Sequence, residues 1–248
     1  MSNYLSKEEK KVIQTKVYQA AAKMFLERGY SHTTTRALAE AAGVNVSTMN
    51  REFGSKENIL CGLVQYVLDG QFSTAWKLIR GITEDMVIFY AVETALQLHM
   101  AESSEAVRDL YLKAYSMAHS SELIHKAVSN ELLPKAFGTY LPEYDPQRYY
   151  ELEIASGSII RGYIGVPCSP EFTMEQKIAR FLDAALRIYR VPEEKIRESI
   201  EFVKQFDMET IARNTIDSML CALEDPEQSE RLLLGMTHGN HLPKEETI

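Results

Sequence analysis

Apolar residues recur every three or four positions through the start of the chain, with Val12, Ile13, Val17, Ala20, Ala21, Met24 and Phe25 on one stripe. Ser6 and Glu9 stand at the spacing in which a hydroxyl and a carboxylate satisfy the free amides of a helix start. Gly29 supplies the left-handed residue that commonly ends one, so the pattern predicts a helix from about Lys7 to Arg28. Thr34 or Thr35 opens a second, short helix whose buried side is Leu38, Ala39 and Ala42. Gly43 breaks it, Val44 plugs the turn, and Asn45 caps a third helix from Val46 to about Arg51, with Met49 and Phe53 turned inward. Two short helices about a tight glycine turn form a helix-turn-helix.

Ser55 opens a fourth helix with Lys56 in its first turn, continuing through Ile59, Leu60, Leu63, Val64, Val67 and Leu68 toward Trp76. Beyond residue 84 the periodicity predicts helices near 85–101, 104–118, 121–137, 146–165, 173–190 and 193–223, with breaks around Pro134, Pro142, Pro167, Pro170 and Pro192. Strand alternation does not appear. The fold class predicted is therefore all-α: an N-terminal three-helix helix-turn-helix domain (1–55), an arrangement used for DNA binding, joined to a larger helical bundle (56–224). Residues 225–248 read as a short helix through Leu232, Leu233 and Leu234 followed by a tail.

Length and composition fit this picture. The 248 residues, 45% apolar and 25% charged, suit an ordinary globular protein of one large or two modest domains. No window approaches the ~18 consecutive apolar residues of a membrane span, and MSNYLSKEEKK lacks the apolar core of a secretion signal, so a cytoplasmic, non-membrane protein is expected. Cys61, Cys168 and Cys221 are odd in number and far apart, which predicts buried reduced thiols rather than a disulfide framework or zinc site. The net charge of −8 is unevenly spread: residues 1–60 carry +3 and the remainder −11. A basic head on an acidic body would orient the molecule near a polyanion.

The outward residues of the third helix are Val46, Ser47, Thr48, Asn50 and Arg51, and such a small polar face can sink into the roughly 12 Å wide major groove. The stretch GYSHTTTRALAEAAGVNVSTMNREFGSKENIL, residues 29–60, then resembles the amino-terminal domain of the TetR family of bacterial transcriptional regulators. Gly29, Tyr30, Thr33, Thr34, Leu38, Ala39, Ala42, Gly43, Val44, Thr48, Phe53, Ser55, Lys56 and Glu57 carry the resemblance. It implies double-stranded DNA as partner, contacted by Thr33, Thr34, Arg36, Asn45, Val46, Ser47, Thr48, Asn50, Arg51 and Lys56. Lys56, with the fourth helix's first amides, is placed to meet a phosphate. The family usually ends its recognition helix Tyr-x-His-Phe or Tyr-x-Tyr-Phe, whereas this chain reads Asn50, Arg51, Glu52, Phe53. The customary tyrosine contact is missing, and Glu52 near the DNA backbone would be repelled, which predicts an altered operator preference or weaker affinity.

The resemblance further implies a homodimer and a small-molecule effector. Interface candidates are Ile154, Gly157, Ser158 and Arg161 on one helix and Ile178, Phe181, Leu182, Ala185, Leu186 and Tyr189 on the next, although either stripe would equally serve as core. Candidates for an apolar pocket are Trp76, Phe89, Glu93, Leu96, His99, Tyr111 and Tyr115, which a plain packed interior would also accommodate. The expected mechanism is a homodimeric repressor released from a palindromic operator when ligand shifts the spacing of its two recognition helices.

Catalysis is not expected: GxGxxG, phosphate-loop, GxSxG and HExxH patterns are missing, and the histidines show no ligand spacing. No cofactor or metal is called for. The competing reading is a helical adaptor of the same fold that has lost operator binding, or an activator.

Overall fold

The computed structural model describes residues 6–225, and within them the structure is helical throughout, with one isolated bridge between Ser169 and Phe172. Helix α1 (Lys7–Arg28) begins with the predicted capping box: the Glu9 amide donates to Ser6 Oγ at 3.1 Å and the Ser6 amide to Glu9 Oε2 at 2.7 Å. Helices α2 (Thr35–Ala41), α3 (Val46–Phe53) and α4 (Lys56–Ile79) follow, capped by Thr34, Asn45 and Ser55. The body comprises α5 (Met86–Glu102), α6 (Glu105–Ser116), α7 (Ala118–Ala127), a π turn (Val128–Leu132), α8 (Leu133–Phe137), α9 (Pro146–Ile164), α10 (Met174–Ile188), α11 (Glu193–Val203) and α12 (Met208–Glu224).

Two expected elements are redrawn. The single helix foreseen over 193–223 is two, because Asp207 caps a new one by accepting the Thr210 amide at 3.1 Å. Pro134 does not break the chain's course: the helical run passes from α7 through the π turn into α8, of which Pro134 is the second residue. The helix expected through Leu232, Leu233 and Leu234, and the tail after it, lie outside the described residues.

Helix α5 is the body's axis. Apart from His99 and Glu102 its residues are buried from Val87 onward, as expected of a helix apolar on nearly every face, and α4, α6 and α8 to α12 surround it. At its end Glu102 gathers Lys177 Nζ at 2.7 Å, Arg108 Nη2 at 2.8 Å and the Cys168 amide at 2.9 Å, tying the loop before α10 to the core. The cysteines depart from expectation, with Cys61 and Cys168 half-buried and Cys221 exposed.

Helix α1 joins head to body, packing on α2, α3, α4, α6 and α12. Its Tyr18 meets Phe53 of α3 edge-on at 5.4 Å and lies over Gly62 of α4, where an added Cβ would sit 2.6 Å from the ring. Only glycine allows that approach.

Candidate nucleic-acid interface

Leu38 and Ala39 of α2 and Met49 and Phe53 of α3 pack against Val17, Ala21 and Phe25 of α1. Gly43, at φ +63°, makes the turn, and the Val44 amide closes it on the Ala39 carbonyl at 2.9 Å. Asn45 Oδ1 accepts the Ser47 amide and the Ser47 hydroxyl, both at 2.8 Å, so one side chain starts α3 and fixes its first polar neighbour. With the inner side anchored, Asn45, Val46, Ser47, Asn50 and Arg51 are exposed on one surface, Thr48 half-buried among them; Arg36 and Thr34 of the α2 start are also exposed.

Two predicted contact residues are placed elsewhere. Thr33 is buried, its hydroxyl donating to the Gly29 carbonyl at 2.9 Å, so it holds the loop rather than facing solvent. Lys56 turns back: its ammonium donates to the Tyr30 carbonyl at 2.9 Å and the Thr33 carbonyl at 2.7 Å, and stands 3.8 Å from the Tyr30 ring centre. Burial pulls its pKa below the ordinary lysine value, partly offset by the Asp109 carboxylate. Lys56 thus clamps the loop between α1 and α2. Glu52 also differs from the expectation of a repelling surface charge, since its side chain is only 8% exposed and pairs with Arg51 at 3.3 Å and Lys10 at 4.0 Å.

Beneath the head lies an apolar cavity of about 60 Å³. Leu26 of α1 closes its top, and Leu60, Leu63, Val64, Val67, Leu68 and Gln71 of α4 form one wall. Gln97 and Met100 of α5, Val107, Leu110, Tyr111, Ala114 and Tyr115 of α6, Ile124 of α7, and Ile216 and Met219 of α12 complete it. Gln97 Nε2 donates to Tyr115 Oη at 2.7 Å, and Tyr111 Oη donates to Met100 Sδ at 3.7 Å. Gln71 is fully buried, and neither atom of its amide has a hydrogen-bond partner among the described residues.

Behind Gln97 and Tyr115 a smaller void of about 20 Å³ is bounded by Glu93, Glu153, Ser156 and Tyr90. Glu153 Oε2 accepts from Ser156 Oγ at 2.7 Å, which in turn accepts from Tyr189 Oη at 2.7 Å. Burial, reinforced by the Glu153 carboxylate, pushes Glu93 up to about 8. On the outer side of α6, Asp109 accepts the Ser31 amide at 2.8 Å and the Ser31 hydroxyl at 2.7 Å, so the helix lining the cavity also holds the loop leading into α2.

Residues 17–61 match the model of the bacterial regulatory proteins of the tetR family. Over those residues the chain carries the amino-terminal domain of that family. It is 26% identical over 133 residues to the HTH-type transcriptional repressor KstR2 of Rhodococcus jostii (strain RHA1), covering 54% of this chain. The chain spans 58% of the length of that curated relative. In fold it is similar to RolR, solved in complex with resorcinol, with a TM-score of 0.60 at 13% identity over 79% of this chain and 96% of that one.

The pocket candidates divide. Tyr111 and Tyr115 line the cavity. Glu93 faces the smaller void, Phe89 and Leu96 are core, and Trp76 packs on Phe89 with ring centres 6.0 Å apart. His99 borders an open groove with Glu209 and Asp207, where burial lowers its pKa against the opposing pull of those carboxylates. Gln71 and Gln97 were missed, although a glutamine on the apolar row Val64, Leu68, Gln71, Ala75 is a signal the sequence contains.

The interface candidates divide too. Ile178, Phe181, Leu182, Ala185, Leu186 and Tyr189 are buried within the chain, Tyr189 stacking on Phe137 at 4.0 Å, because this face of α10 is turned to α5 and α9. Gly157 is buried where a Cβ would meet His125 at 2.7 Å. Ile154, Ser158 and Arg161 do face outward. Among the described residues no helix is long and apolar enough to cross a membrane.

Proposed function

We propose that the protein is a homodimeric repressor of a palindromic operator, released when a small molecule enters the cavity beneath the head. The observation that carries this reading is the shared use of α6: its inner face lines the cavity while Asp109 on its outer face holds Ser31, at the entrance to the helix-turn-helix. At about 60 Å³ the cavity is smaller than the ~150 Å³ in which an engineered apolar site binds benzene, so an organic ligand must push a wall outward. Helix α6 is a short wall, bounded by breaks at Ser103–Ser104 and at Met117. Its displacement carries Asp109, and with it the head, away from the spacing that fits successive major grooves.

The self-association surface is the outer ridge of α9. Ile154 is 44% exposed, Val166 just beyond the helix end is 54% exposed, and Ser158 and Gly162 between them follow at four-residue steps with no side chain beyond a hydroxymethyl group. Small residues on such a ridge let a second helix approach closely. The inward pairing of Glu52 supports operator binding over the adaptor reading, since the charge expected to repel the DNA backbone is withdrawn.

Gel shifts with fragments of the flanking genome, repeated at rising salt, test the reading. A site-specific shift that Arg36→Ala weakens, from a particle of twice the 28.2 kDa chain mass, is expected. Ile154→Asp should yield monomers that no longer shift. A protein that treats every fragment as it treats random duplex overturns the proposal.

A further inference from the structure

The cavity's chemistry is more specific than its volume. Among the described residues lining it there is no Asp, Glu, Lys, Arg or His; the walls are Leu, Val, Ile, Met and Ala, with the Tyr111 and Tyr115 rings and the two glutamines. An ionised ligand group would meet no opposite charge there, and burying one uncompensated is strongly unfavourable.

The polar groups are not equivalent. Gln97 and Tyr115 are bonded to each other, and Tyr111 is turned to the Met100 sulfur. Gln71 alone among these four presents an unused amide, one acceptor and two donors, from a fully buried position on the α4 wall. A buried amide without a partner destabilises a fold, whereas the leucine that the surrounding row would accept does not. Placed in an apolar enclosure, that amide acts as a selector, because a ligand group able to accept from Nε2 or donate to Oε1 recovers a bond no protein group makes.

We infer that the cavity takes an uncharged, largely apolar organic molecule carrying one hydroxyl or amide-like group, and that Gln71 reads that group. This rests on the cavity being the effector site proposed above, but it concerns what binds rather than what binding does. Gln71 lies fifteen residues along α4 from Lys56, about 22 Å at the helical rise, so its substitution leaves the DNA contacts untouched.

Four probes of one size decide it: benzyl alcohol, toluene, benzoate and benzylammonium, titrated into the full-length protein by calorimetry and by shift of the melting temperature. Benzyl alcohol should bind about tenfold more tightly than toluene, the ratio expected when a buried amide is satisfied rather than left unmade. The two ions should not bind. In Gln71→Leu the alcohol and hydrocarbon should fall within twofold of each other, with the probe-free melting temperature raised. Gln71→Met gives the same comparison if the leucine variant folds poorly. Preference for either ion, no binding by any probe, or an alcohol preference that survives both variants overturns the inference. Selective binding that leaves operator affinity unchanged upholds it and instead defeats release by ligand, so the two failures are separable.

Discussion

Helices α3 and α5 both mix polar with apolar residues, but they put the polar ones on opposite sides. In α3, Met49 and Phe53 are buried and Ser47, Asn50 and Arg51 are exposed. In α5 nearly every face is covered, and Glu93, Thr94 and Gln97 are inside. An eight-residue helix is too short to be stable in isolation, so α3 exists because its inner side is anchored, leaving its outer side free to be chosen for contact. The body's interior works in reverse: its stability comes from the surrounding helices, and each polar group inside adds an electrostatic cost unless it finds a partner there. Thr94 does, donating to the Tyr90 carbonyl at 2.8 Å, and Gln97 does through Tyr115. Gln71 of α4, facing the same interior, does not.

The largest effect expected from this contrast is on the anchor. Met49→Ala removes a side chain that is 1% exposed beneath the α3 surface and should cost about 3 kcal/mol, with operator binding lost although no DNA-facing residue has changed. Chemical denaturation alongside a gel shift measures both. Retained stability would mean that α3 is held by something other than its inner face. Gly62→Ala comes next. The methyl group would collide with the Tyr18 ring that joins α1 to α4, at about 1–3 kcal/mol, and should loosen the head against the body. Hydrogen exchange at the α1 amides should rise in that variant, and unchanged protection there would separate Tyr18 from the coupling.

A smaller pair of substitutions sorts basic residues by what they touch. Lys56→Met removes two hydrogen bonds to loop carbonyls and should destabilise by about 1–2 kcal/mol. Its salt dependence of DNA binding should match the wild type. Arg36→Ala, exposed and outside any clamp, should leave stability nearly unchanged but lower the slope of log affinity against log salt by about one. If the two variants exchange these behaviours, Lys56 is a phosphate contact after all.

The same contrast explains what could be read before the structure. The head was legible because its signals are local: capping residues, a glycine turn and inward positions at helical spacing all fall within thirty residues. The body's helices were legible as helices, but not which face of each met which neighbour, since an apolar stripe such as Ile178, Phe181, Leu182 and Ala185 looks the same whether it meets its own core or a second chain. Lys56 shows a related limit. Its place at a helix start suits a phosphate, but the Tyr30 and Thr33 carbonyls that capture it are 26 and 23 residues away. The break at Asp207 carried a readable sign in the aspartate itself, a residue type that caps helix starts, hidden by the absence of glycine or proline.

The finest test of the contrast uses proton binding. Glu93 is buried beside Glu153, and its pKa is raised from 4.5 to about 8, so at neutral pH the native state holds a proton that the unfolded chain has released. The sign follows directly: the native state is favoured most below pH 4.5, and that advantage is lost as pH rises toward 8, beyond which the loss is complete. Glu93→Gln keeps the shape of the protonated acid without the titration. Its melting temperature, set against the wild type from pH 5 to 9, should show a gap in favour of the variant that widens up to about pH 8 and then levels. Parallel curves would mean that Glu93 is already ionised in the native protein, with a partner supplied inside the body. A polar group within α5 would then be as well satisfied as one on the surface of α3, and the distinction between the two helices would reduce to solvent exposure alone.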